Sequence, residues 1–161
     1  MAIGVGDKIP DVTVQTMGPD GPRPIATREV FAGNRVVLFG VPGAFTPTCS
    51  DHHLPGFVLR SEEILKKGID RIVCTAVNDV FVMDAWGKVR EVGDKILLLA
   101  DGNGDLARAL GLEQDSSRWG MGRRSRRYAA LVEDGVVKKL NLEPAPGKVE
   151  VSGGDTLLGQ L

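Results

Sequence analysis

Cys49 closes the stretch Pro42-Gly43-Ala44-Phe45-Thr46-Pro47-Thr48-Cys49, which follows the apolar run Val36–Val41 and leads into a segment of helical character. A thiol in the first turn of a helix faces unpaired backbone N–H groups and the positive end of the helix dipole. Both favour the thiolate, which is the nucleophilic form. Thr46 lies three residues earlier and offers a short, stiff hydroxyl that can be held close to the sulfur. An isolated free cysteine is ordinarily a small buried apolar side chain. The strand, the Pro-Gly turn and the helix together point instead to a reactive thiol.

The second cysteine, Cys74, lies in Ile72-Val73-Cys74-Thr75-Ala76-Val77 and reads as a buried, inert thiol on a core strand. A disulfide with Cys49 requires Cα atoms within about 7 Å and suitable orientation, a distance that the sequence leaves open. Cys49, His52 and His53 form a Cys-x2-His pattern without a second matched pair, so no metal site is expected and His53 is read as part of a pocket wall. Trp86 and Trp119 are expected in the core or at an interface, and Asp79 as a helix cap.

The elements that would position Cys49 alternate in type. Strands are predicted at Val12–Thr16, Arg35–Val41, Arg71–Val77 and Ile96–Ala100, and the apolar run of the second indicates burial on both faces. A helix from about Thr48 to Lys67 should kink or break at Pro55-Gly56 and end at Gly68. Thr27 should cap a short helix, Asn78-Asp79 a helix reaching about Glu91, and Asp105–Leu110 should form a short helix closed by Gly111. Arg127–Val132 and Val136–Leu142 flank Glu133-Asp134-Gly135, a hairpin signal, and a last helix is expected from Asp155. The Pro/Gly-rich stretch Gly18–Pro24 reads as a loop between strands. This order specifies an α/β sandwich with a mixed central sheet flanked by helices, in the manner of a thioredoxin-like fold, over one domain spanning residues 1–161.

Composition narrows the function. Twenty basic and 21 acidic residues leave no strong field for nucleic acid or an anionic membrane. Arg118, Arg123, Arg124 and Arg126 are therefore read as a solvated loop leading into a strand, and neither a nucleic-acid nor a membrane partner is expected. No apolar run reaches the roughly 18 residues of a membrane span, and the N-terminus resembles neither a signal nor a transit peptide. Two cysteines are too few for a disulfide framework, so a reducing, cytoplasmic setting is expected.

The chain resembles the peroxiredoxins. Pro42-x3-Thr46-x2-Cys49 matches that family's peroxidatic motif, and Gly40–Pro47, Cys49-Ser50 and His53-Leu54-Pro55-Gly56-Phe57 resemble its type 5 branch. The similarity continues through Val77-Asn78-Asp79, Ala85-Trp86-Gly87, Leu99-Ala100-Asp101, Arg127-Tyr128 and Asp134-Gly135. The resemblance implies that Cys49 reduces hydrogen peroxide and alkyl hydroperoxides and becomes a sulfenic acid. By the same resemblance Thr46 would hydrogen-bond thiolate and peroxide, Pro42 would shield the sulfenic acid, and Arg127 would hold both sulfur and peroxide oxygen. Many type 5 relatives carry a resolving cysteine near the C-terminus, where this chain has Val149-Glu150-Val151-Ser152 with Val151 in its place. That departure implies a one-cysteine cycle in which an external thiol, glutathione with glutaredoxin ahead of thioredoxin, attacks the sulfenic acid. A homodimer is implied as well, and no metal or organic cofactor.

Two other readings are a peroxide-sensing switch or partner-binding module without turnover, and a thioredoxin-type oxidoreductase. The absence of a cysteine two or three residues from Cys49 argues against the latter.

Overall fold

A computed structural model describes residues 1–161. Its centre is a seven-stranded mixed sheet in the order β2-β1-β5-β4-β3-β8-β9. The strands are β1 (Thr13–Gly18), β2 (Gly21–Ala26), β3 (Arg35–Gly40), β4 (Arg71–Ala76), β5 (Leu97–Ala100), β8 (Tyr128–Glu133) and β9 (Val136–Leu142). β3, β4 and β5 run parallel, as their helical crossovers require, while β8 is antiparallel to β3. Two short strands, β6 (Glu113–Asp115) and β7 (Arg123–Ser125), pair apart from the main sheet.

Helices cover both faces, and the period of two along the strands determines which residues meet which helices. Val37 and Phe39 of β3, with Cys74 and Ala76 of β4, face α2 (Leu54–Lys66), α3 (Val80–Val89) and α5 (Gly154–Leu158). Val36 and Leu38, with Val73, face α1 (Thr27–Phe31) and α4 (Asp105–Leu110). A strand buried on both sides thus accounts for the unbroken apolar run before Cys49.

Gly40 has a steric purpose at the end of β3. It pairs with Tyr128 across the β3–β8 ladder, and a Cβ at Gly40 would lie 2.2 Å from the tyrosine ring. Asp134 and Gly135 both take positive φ (47° and 77°) and form the tight β8–β9 turn that Asp-Gly predicts.

Several expectations need correction. Gly18–Pro24 is no simple loop, because Gly21–Ala26 forms β2 and Pro22 and Pro24 pair with Met17 and Gln15. The strand lies at the sheet edge, where a residue without N–H is tolerated. Thr27 does not cap α1; its Oγ1 donates to Pro10 O (2.7 Å) and accepts from Val12 N–H (3.0 Å), while Ala26 holds the cap position. Pro55-Gly56 does not break the long helix. Its irregularity lies upstream, in a wide π turn over Cys49–His53, and it is Gly154 that lets α5 approach the backbone there closely. A Cβ on Gly154 would stand 2.7 Å from Gly56 O.

Candidate active site

The helix that carries Cys49 begins at Pro47, which suits a first-turn position because its missing N–H would go unpaired there anyway. Two residues before it Phe45 adopts φ 64°, uncommon for a residue with a side chain, and the preceding Ala44 N–H donates to Asn78 Oδ1 at 2.9 Å. This turn, tied to the entry of α3, joins β3 to the helix and delivers Cys49 into the core between sheet and helices. Its side chain is 0% exposed. Next to it Ser50 Oγ accepts the buried Trp86 indole N–H at 2.9 Å, which anchors the first turns of the helix to α3.

Arg127 precedes β8 and enters the site from the sheet. It is 2% exposed, and its fork spans three acceptors. Nε donates to Pro146 O (2.9 Å), Nη1 to His53 Nδ1 (2.9 Å) and Nη2 to Cys49 Sγ (3.1 Å). His53 Nε2 is 2.9 Å from Ser152 O. Burial first, and the Arg127 charge second, push the His53 pKa down to about 3, so the imidazole is neutral at physiological pH. Both ring nitrogens of His53 are thereby engaged within the protein. Behind Ser152, Glu143 Oε2 accepts from the backbone N–H groups of Glu150, Val151 and Ser152 and from Ser152 Oγ, at 2.6 to 2.9 Å.

A cavity of about 240 Å³ opens beside this cluster, lined by Pro42, Thr46, Trp119, Met121, Arg127 and Pro146 among others. The structure thus brings together Cys49 and Arg127 by contact, and Pro42, Thr46 and Arg127 around one cavity. Thr46 differs in detail from expectation. Its hydroxyl donates to Gly43 O (2.6 Å) and makes no hydrogen bond to Cys49. With its proton committed there, the oxygen presents lone pairs, so toward a peroxide it can accept an O–H.

Three residues carry more of the site than their sequence context suggested. Of the two places expected for Trp119, the core does not hold: it is 61% exposed and lines the cavity, with the Arg118 guanidinium 5.3 Å from its ring centre. Arg124 is no solvated loop residue: it donates to Met121 O (2.8 Å) and Val77 O (3.0 Å) and ties β7 to the loop after β4. Glu143 gave no signal in sequence, because only the return of the chain at 150–152 supplies its partners.

Cys74 lies on β4, fully buried, and forms no disulfide. Burial first, and then the Cys49 charge, push its thiol well above the ordinary range, while Arg127 pulls weakly the other way. It is kept protonated where Cys49 is met by a guanidinium.

Comparison with known proteins agrees with this geometry. The Redoxin family model matches residues 4–158. Peroxiredoxin-2E-2, chloroplastic, from Oryza sativa subsp. japonica is 51% identical over 164 residues, covering 99% of this chain and 72% of that protein. Reduced Prx3 from Vibrio vulnificus, crystallised in complex with H2O2, superposes with a TM-score of 0.93 at 45% identity over 98% of both chains. Peroxiredoxin 5 from Alvinella pompejana gives 0.84 at 40% identity over 97% of this chain and 96% of that one. These neighbours bear out the thioredoxin-like α/β fold. A cysteine at a strand-to-helix turn, met by a buried arginine and matched along nearly its whole length by such relatives, places this chain in the peroxiredoxin family, and it is a thiol peroxidase.

Proposed function

We propose that the chain reduces hydrogen peroxide and alkyl hydroperoxides at Cys49 and that an external thiol, glutathione with glutaredoxin ahead of thioredoxin, completes the cycle. The observation that carries this reading is the Arg127 fork, fixed by Pro146 and His53 with Nη2 at 3.1 Å from the sulfur. The Cys49 thiolate attacks the nearer peroxide oxygen, the O–O bond breaks, and the departing alkoxide or hydroxide takes a proton to leave as alcohol or water. Cys49 is left as a sulfenic acid. Negative charge moves from sulfur to the leaving oxygen in this step, and a donor fixed between them stabilises it more in the transition state than in the ground state. Thr46 accepts the peroxide O–H, and Pro42 walls the sulfur from water. The crystallised complex of the Vibrio vulnificus relative with H2O2 supports the substrate. The apolar faces of Trp119, Met121 and Pro146 leave room for an alkyl group.

An external thiol then attacks the sulfenic sulfur, expelling water, and a second thiol releases Cys49 from the mixed disulfide. Two features support this route over internal resolution: Val151 stands where a thiol would be needed, and Cys74 is buried and held protonated. Because Cys49 is fully shielded, the reductant requires the first helical turns to open, and the wide turn at Cys49–His53 is the segment least regular in its bonding. A homodimer belongs to the same proposal, since exposed Phe45, Phe81 and Trp119 lie on segments that meet at the site. So do a reducing, cytoplasmic location, with which two free thiols agree, and a cycle that needs no metal or organic cofactor.

Coupled turnover assays test the proposal. Hydroperoxide consumption that saturates with glutathione and glutaredoxin is expected. A single stoichiometric turnover with every thiol system would instead favour a peroxide-sensing switch.

A further inference from the structure

A buried guanidinium needs an acceptor for each donor that it does not lend to the reaction. Of the five N–H groups of Arg127, one goes to Pro146 O, one to His53 Nδ1 and one to Cys49 Sγ. One N–H remains on each terminal nitrogen for a substrate oxygen. His53 therefore holds the Nη1 edge of the fork while Nη2 works at the sulfur.

The imidazole is suited to this by its tautomer. A carbonyl only accepts, so the 2.9 Å contact with Ser152 O places the His53 proton on Nε2. Nδ1 is then bare and faces Arg127 as an acceptor. The ring is held in position by Phe39 and Phe57, whose centres lie 5.0 and 5.6 Å away in tilted contacts. The Ser152 carbonyl is fixed in turn because Glu143 Oε2 gathers the N–H groups of residues 150–152 and the Ser152 hydroxyl. One continuous set of buried contacts thus runs from Glu143 through Ser152 and His53 to Arg127 and Cys49.

We propose that His53 is a positioning residue for the peroxide reaction: by accepting from Arg127 at Nδ1 it sets the in-plane angle of the guanidinium and so aims Nη2 at the sulfur and the departing oxygen. The inference deepens the peroxide chemistry described above and rests on Arg127 acting at the reacting atoms. Without the Nδ1 acceptor the buried Nη1 donor has no partner, and the guanidinium turns toward another one.

His53→Asn and His53→Gln, made in the full chain, separate the two contacts of the ring. Asn places an oxygen near the position of Nδ1 and can accept from Arg127, but falls short of Ser152. Gln places its amide nitrogen near the position of Nε2 and can donate to Ser152, but leaves Nη1 unpaired. The rate of Cys49 oxidation by hydrogen peroxide is read by stopped-flow tryptophan fluorescence, since Trp86 bonds the adjacent Ser50 and Trp119 lines the cavity. The pH dependence of alkylation by iodoacetamide reports the same thiol without peroxide. His53→Gln should react with peroxide roughly ten- to hundredfold more slowly, with alkylation within a few-fold of wild type, whereas His53→Asn should stay close to wild type in both. A variant Asn as slow as Gln, or Gln as fast as wild type, overturns the proposal. Wild-type protein run alongside distinguishes this from failure of the peroxidase reading, which would show as no reaction of Cys49 in the control. A measurement without substitution guards against misfolded variants: nitrogen NMR of wild type should show His53 protonated at Nε2 and bare at Nδ1, and a proton on Nδ1 overturns the proposal.

Discussion

Arg127→Lys is the substitution whose outcome follows most directly from the geometry. The guanidinium meets three acceptors at 2.9, 2.9 and 3.1 Å in one plane, and a single ammonium cannot reach Pro146 O, His53 Nδ1 and Cys49 Sγ from one point. A lysine keeps the positive charge and loses the aimed donor. Two effects on rate can then be compared. Shifting a thiol pKa between ~8.5 and ~6 changes the thiolate fraction at pH 7 about 30-fold. The accompanying change in nucleophilicity, with a slope of ~0.4–0.5, returns roughly tenfold, so the net effect through the thiol alone is a few-fold. Removing one preorganised donor from a developing oxyanion costs about 10²–10³ in rate, or about 3–4 kcal/mol. The donor term dominates, and Arg127→Lys should lower the second-order rate of peroxide oxidation by about two orders of magnitude. Stopped-flow oxidation and iodoacetamide alkylation, each followed against pH, separate the two effects. A peroxide rate equal to wild type, or a loss fully explained by the alkylation profile, would rule out a donor role for Arg127 at the departing oxygen.

Other consequences concern the fold and the second thiol. Gly40→Ala drives a methyl into the Tyr128 ring and should destabilise the protein by about 1–3 kcal/mol in urea unfolding; an unchanged midpoint would mean that the ring moves freely. Between pH 6.5 and about 3 an unfolded histidine takes up a proton that native His53 refuses, so stability falls as the pH drops through that window. From pH 6.5 to pH 5 the loss attributable to this group is about 2 kcal/mol. Glu143, whose pKa is lowered by its Ser152, Val151 and Glu150 donors despite its burial, adds a loss of the same sign only below its ordinary value of 4.5. His53→Leu should therefore flatten the profile between pH 6.5 and 5, and an unchanged slope would assign it elsewhere. Cys74→Ala should retain peroxide turnover with an external thiol in the coupled assay; loss of turnover would assign the sulfur a part in the cycle.

What could be read from the chain depended on how local the signal was. The Val36–Val41 run, the Pro42–Cys49 turn and the Asp134-Gly135 turn each carry their reason within a few residues, and each element formed as expected. β2 escaped notice because Gly21, Pro22 and Pro24 oppose strand formation by propensity, and only the edge position opposite β1 makes them acceptable. Pro55-Gly56 has the composition of a helix break, yet the helix runs on through it, and the close contact there is required of Gly154, almost a hundred positions away, against the backbone of Gly56. The site shows the same division. Cys49, Thr46 and Pro42 belong to one contiguous motif, whereas the acceptors that aim Arg127 are His53 on the helix and Pro146 after β9, with Ser152 further on holding the His53 ring. Glu143 had no local signature, and Arg124, like the half-buried Arg126 that donates to Glu143 O, was hidden in a run with Arg118 and Arg123, which do face solvent.

Intact-mass spectrometry of the reduced protein after one equivalent of hydrogen peroxide, with Cys49→Ser alongside, tests the one-cysteine peroxidase most directly. One added oxygen that maps to Cys49 and is absent from Cys49→Ser is the expected result. Loss of two hydrogens would show that Cys74 resolves the sulfenic acid within or between chains and would contradict the one-cysteine cycle. An unchanged mass would contradict the peroxidase itself.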